Sequence, residues 1–270
     1  MNEGTTFADA CAAIEEVLPR FTELLRRNHS VTTSAIGDWT LPEVACHVSH
    51  VISKDTDSLA GRMLPDVELS PAAVGVATNE MLADDPERDL VVLADRIDTL
   101  GATFLALRAH PPTAPVIWIG GTKLAPSAVA CHLLEELLVH GHDVARAAGT
   151  RWRTEPRHAA LAILGAAVPI IAASPQSWLR PGYEPHRRVR VQFRLRGHGS
   201  YAIALDDGLA IEMPPAQSHA DAYLSADPSA LLLLLLGRIS PLRTVATGKA
   251  FVWGRRPQAL QTVRKAMLPP

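Results

Sequence analysis

No CxxC pair occurs in this chain, and its three cysteines, Cys11, Cys46 and Cys131, lie far apart in sequence. A cysteine zinc ribbon and a disulfide framework are therefore excluded, and a reducing, cytoplasmic setting is expected. Charge of either sign is not in excess: the net value is −2, so neither a nucleic-acid surface nor an acidic tail is expected. The first residues, MNEGTTFADACAAIEE, lack the basic start and apolar core of a secretory signal. No apolar run reaches the about 20 residues of a membrane span. The longest, 159–173, is interrupted by Gly165 and Pro169 and reads as a buried helix. Lysine is scarce too, at positions 54, 123, 249 and 265 only, so arginine dominates the basic residues as in chains from GC-rich genomes.

What remains is an ordinary soluble composition, 47% apolar and 20% charged over 270 residues, enough for one large or two modest domains. Residues 1–150 read as helices. Apolar residues recur at helical spacing over 6–27, from Phe7 to Leu25. A second helix starts at TLPEVACHVSHVISKD, where Thr40 suits the N-cap, Pro42 the first turn and Glu43 the third position of a capping box. Further helices are expected over about 87–108 and about 126–147, which makes a four-helix bundle. Residues 151–270 read differently. A polar linker and the apolar helix precede RRVRVQFRLRG, which alternates as a half-buried strand does, and YAIALDDGLAIEM reads as a hairpin. A strand and helix in DAYLSADPSALLLLLLGR, a strand in TVATGKAFVWG and a closing helix complete a small α+β domain.

The chemistry concentrates in HLLEELLVHGHDVARA, from His132 onward. With position 132 at zero on a helical wheel, Glu136 falls at about 40°, His140 at about 80° and Asp143 at about 20°, beside the apolar arc of Leu133, Leu137 and Val144. Glu135 and His142 fall at about 280–300°, on the other side, and His132 is left undecided. On the second helix His47 borders the apolar arc, while His50 sits at its polar edge beside Glu43. An inward His47 can thus meet an inward Glu136/His140 pair. Two imidazoles and a carboxylate with one open position are the usual catalytic zinc set, and Asp143 is placed to orient a ligand histidine.

DWTLPEVACHVSH and EELLVHGHDVARAAG resemble two signatures of the mycothiol-dependent maleylpyruvate isomerase family: a Trp and a His with seven residues between them, and E-x-x-x-H-x-x-D. The matching residues are Trp39, His47, Glu136, His140 and Asp143. The resemblance implies a DinB-like metal-binding four-helix bundle followed by a sterol-carrier-protein-like α+β domain, with Zn2+ held by His47, Glu136 and His140. It also implies mycothiol as cosubstrate and a small electrophilic substrate that is isomerised or takes up sulfur, and the arginine-heavy composition fits an actinobacterial, mycothiol-making source. Arg238, after the LLLLLLG helix, is the candidate clamp for a substrate carboxylate, and Arg62 a second anion binder. His142 departs from the tryptophan common in the family's H-G-W-D, and GKAFVWGRRPQ lacks the acidic residue often found after its glycine. Two readings of other kinds stand beside this one. They are a non-catalytic ligand-binding or regulatory protein, and a metal-dependent hydrolytic or biosynthetic enzyme that uses no thiol. Neither nucleic acid nor membrane is expected as a partner, and the chain is expected as a monomer or homodimer.

Overall fold

The computed structural model describes residues 6–268 apart from 29, 31, 63–66, 184–187 and 217–218. Two compact units result, one of Gly4–Glu68 with Ala72–Thr154, the other chiefly of Glu155–Pro270.

In the first unit the helices are α1 (Phe7–Arg26), α2 (Leu41–Leu59), α3 (Pro71–Asp84), α4 (Leu90–Ala106) and α5 (Pro126–Ala147). α1 and α2 each pack against both α4 and α5, so the four long helices close a ring around Ile14, Phe21, Phe104, Leu133 and Leu137. Local chemistry fixes where they start. Glu43 Oε2 accepts from Thr40 N at 2.7 Å, closing the expected capping box of α2. Asp89 caps α4 by accepting from Val91 N and Val92 N. Ahead of α2, β1 (Ser34–Ile36) and β2 (Trp39–Thr40) form a hairpin; ahead of α5, β3 (Val116–Ile117) and β4 (Lys123–Leu124) form another. Within α5, a Cβ at Gly141 would lie 2.3 Å from the Trp152 ring. The missing side chain is what lets that indole lie against the helix beside His140.

α3 was not expected. It buries only Thr78 and Leu82, so its sequence carries almost no amphipathic signal.

The second unit opens with α6 (Pro156–Ala162), a π turn at Ile163–Ala167 and α7 (Val168–Ala173) where one uniform helix was expected. Pro169 has no N–H to give the ladder, and its ring crowds the turn before it; the widened π turn absorbs both defects. By length and composition alone Pro156–Ala173 could cross a membrane, but 56% of it is buried inside the protein. The sheet consists of β5 (Val189–Leu195), β6 (Gly199–Leu205), β7 (Leu209–Glu212), β8 (Ala222–Ala226) and β9 (Ala250–Trp253), in the order β7-β6-β5-β8-β9. β5 pairs parallel with β8, and the other neighbours pair antiparallel. Val189, Val191, Phe193 and Leu195 are buried, as the alternation required. α8 (Pro228–Leu235), capped by Asp227, follows β8; α9 (Pro241–Ala246) precedes β9; α10 (Ala259–Ala266) follows it. The chain is therefore α+β: a mainly helical first unit is followed by a second that carries the five-stranded sheet.

Candidate metal centre

His47 stands on α2, and Glu136 and His140 stand one turn apart on α5, the helix packed against it. Their donor atoms converge. Glu136 Oε2 lies 2.9 Å from His47 Nε2 and 3.2 Å from His140 Nε2. Ligands about 2.0–2.1 Å from one tetrahedral zinc stand about 3.3 Å from one another, so these separations are near those of a ligand set. The side chains of His47, Glu136 and His140 are 12, 21 and 8% exposed, so the three donors are largely shielded from bulk water.

The surroundings orient these ligands. Trp39 packs its ring 5.1 Å from that of His47, and its Nε1 donates to Asn79 Oδ1 on α3 at 3.0 Å. Asp143 is buried, with Oδ2 3.2 Å from His140 Nδ1. A proton kept on Nδ1 leaves the Nε2 lone pair aimed at the centre.

Burial pulls His47 below the ordinary imidazole range and keeps it neutral. It pulls on His140 as well, but the carboxylates of Asp143 and Glu136 outweigh it and hold that ring up at about 9. For Glu136, burial opposes the charge and the two histidines outweigh burial, so its carboxyl is held well below the usual range. Without a metal, a proton on His140 takes the place of the cation that this buried carboxylate requires. The residues present fit a divalent ion: three converging donors of the zinc type, one of them anionic, on two rigid helices.

Among the described residues a second group of donors, Cys46, His50 and Asp85, also lies within ligand range. It is already satisfied. Asp85 Oδ2 accepts from Arg96 Nη1 at 2.6 Å and meets His50 Nε2 at 2.8 Å, and Asp85 Oδ1 accepts from Glu87 N at 3.1 Å. Burial raises the Cys46 thiol to about 11, far from the thiolate a metal needs. This cluster ties α2 to α4. Burial disfavours the Asp85 charge, but Arg96, the Glu87 N–H, His50 and Cys46 outweigh it and hold the carboxyl well below its ordinary value. A depressed carboxyl stabilises above the unfolded-state pKa of about 4, and the gain is lost as pH falls. Asp85→Asn is thus expected to cost about 2 kcal/mol at pH 7, the worth of hydrogen bonds to a charged group. The deficit should shrink below pH 4, which urea unfolding at the two pH values measures.

The first unit matches the family model described as the mycothiol maleylpyruvate isomerase N-terminal domain, over residues 11–145. The chain belongs to that family. Two solved structures of the mycothiol-dependent maleylpyruvate isomerase share its fold. One, a histidine-to-alanine mutant, aligns with a TM-score of 0.53 at 14% identity, over 87% of this chain and 90% of that chain. The other gives 0.52 at 13% identity, over 87% and 91%. Comparison with curated protein sequences returns no match.

In this maleylpyruvate isomerase family member, Trp39, His47, Glu136, His140 and Asp143 all stand around one centre. Arg238 belongs to the second unit, where its Nη1 donates to Leu236 O at 2.6 Å beyond the end of α8. Arg62 is exposed and pairs with Asp57. His50 meets Asp85 rather than Glu43, and His142 lines a surface pocket with Arg146, Arg151, Trp152 and Arg153. Glu135 corrects the wheel: it is half-buried, and burial pushes its carboxyl up to about 8.

His132, Asp55 and Trp118 were missed as a group. His132 Nδ1 lies 2.8 Å from Asp55 Oδ2, and Trp118 Nε1 donates to Asp55 Oδ1 at 2.9 Å. Burial lowers His132, but Asp55 and Glu136 outweigh it and hold the ring at about 9. The one available signal was the i,i+4 spacing of His132 and Glu136.

Proposed function

We propose that the chain is a zinc-dependent enzyme that uses mycothiol to isomerise, or transfer sulfur to, a small electrophilic substrate in the cytoplasm. Convergence of two imidazole nitrogens on one buried carboxylate oxygen, in a chain of this family, carries the reading. His47, Glu136 and His140 would hold the ion. At such a set zinc supplies an open position where a thiol is kept as thiolate near neutral pH.

The rest falls to the protein's own groups. Asp143 keeps the His140 proton on Nδ1. Trp39 fixes the plane of His47. The packed helices hold the three donors still, so that a thiol arrives at a rigid, poorly hydrated centre. Arg238, in the second unit, is proposed as a carboxylate binder, since its planar fork can take such a group in bidentate fashion. A thiolate adding to an electrophilic double bond leaves a single bond that rotates, and its departure regenerates the thiol and the isomerised product. Retention of the sulfur gives S-transfer instead. The solved relatives are described as acting on maleylpyruvate, and an unsaturated keto acid of that class is the first substrate to try.

The test uses the full chain with mycothiol and maleylpyruvate. About one zinc per chain and isomerisation that requires the thiol are expected. An equal rate without mycothiol would overturn thiol use, and a protein that neither carries nor takes up zinc would overturn the metal reading.

A further inference from the structure

The candidate ligand set employs only one oxygen of Glu136. Oε2 faces both imidazoles, while Oε1 lies 3.6 Å from His132 Nε2, one turn earlier on α5. His132 is held in turn by Asp55, whose other oxygen accepts from Trp118 Nε1. Trp118 also sets its ring edge-on to the His132 ring, with centroids 4.8 Å apart at 74°. The strand just before Trp118, β3, is tied to α2 by Ser58 Oγ donating to Ile117 O at 2.7 Å.

Asp55 is 1% exposed, and burying a carboxylate that deeply is costly unless its partners satisfy it. A pair serving only to join α2 to α5 would need His132 Nδ1 and nothing more. The opposite ring nitrogen is turned toward the one Glu136 oxygen that the imidazoles of His47 and His140 leave free.

We propose that Asp55, His132 and Trp118 form a positioning relay that holds Glu136 Oε1, so that Glu136 presents a single oxygen, Oε2, to the metal. The proposal rests on the metal reading above. His132 stands outside the ligand set, whose three donor atoms group without it. It acts through Glu136, as partners behind a ligand do when they fix its orientation.

The experiment measures zinc affinity by competition with a chromophoric chelator on the full chain, for wild type, His132→Gln, Asp55→Asn and Trp118→Phe. Melting of each metal-free protein and the visible spectrum of its cobalt-substituted form are recorded alongside. Losing a partner behind a metal ligand costs about 10–100-fold in affinity. That loss is expected for His132→Gln and Asp55→Asn, with a smaller one for Trp118→Phe, which keeps one aromatic ring but loses the N–H donor with the rest of the indole. The double variant Asp55→Asn/His132→Gln should bind no more weakly than the worse single one, because both break one chain of contacts. An altered cobalt spectrum with unchanged metal-free melting separates positioning from general stability. Should Asp55→Asn fail to fold, Trp118→Phe and His132→Gln still decide the matter. Wild-type affinity and spectrum in all variants would overturn the relay and leave the metal reading standing. A wild type that binds no zinc would overturn both.

Discussion

Glu136→Gln is expected to fold and to emerge without zinc. Glutamine keeps the shape of glutamate and can still turn an oxygen toward His47 and His140, so packing against α2 survives. What disappears is the negative charge. With Glu136 the buried assembly of a divalent ion and its ligands carries one net positive charge; with glutamine it carries two, in surroundings where charge is costly. The loss of zinc affinity should exceed the about 100-fold that removing a partner behind a ligand costs, and thiol-dependent turnover should fall with occupancy. Elemental analysis of the purified variant, with its melting temperature, checks both halves. A fully loaded Glu136→Gln protein would place the ion elsewhere. The Cys46, His50 and Asp85 group would then be the alternative, and Asp85→Asn would decide it.

The parts of this architecture that rest on short-range contacts were legible in the sequence. The Thr40–Glu43 capping box spans three residues, and the Glu136/His140 pair four, so one helical wheel contains each of them. The same wheel failed at Glu135, because it assumes one buried face. α5 packs on α1 and on α2, and a helix covered from two directions leaves little of its circumference to solvent. His132 stayed undecided for a related reason: its partner, Asp55, sits 77 positions earlier, on another helix. In SHVISKDTDSL that aspartate looks like any surface carboxylate. Only tertiary packing reveals that it is among the most deeply buried charges of the first unit, with Trp118 above it. α3 escaped notice because a helix that buries two side chains has no periodicity to read, yet its Asn79 fixes Trp39 against the candidate centre.

Zinc affinity should rise by about tenfold per pH unit between pH 6.5 and 9, because the ion must displace a proton. Burial already keeps His47 neutral, so the proton to be expelled is the one that Asp143 and Glu136 hold on His140 up to about 9. One proton released per ion gives a slope of about one in the logarithm of affinity against pH. The stability of the metal-free protein must run the other way. A histidine raised above its unfolded value of about 6.5 contributes stability that is complete below that pH and disappears as pH climbs through the folded value. The metal-free protein is therefore expected to melt progressively lower from pH 7 to 9.5. The zinc-loaded protein, whose His140 is already deprotonated, should show a smaller loss, the part due to His132, which Asp55 and Glu136 hold at about 9. Calorimetric titration in two buffers of different ionisation enthalpy counts the protons directly. A count near two would mean that zinc also strips His132, whose proton Asp55 and Glu136 stabilise. A pH-independent affinity would mean that the ion binds where no proton has to leave, and so away from His140.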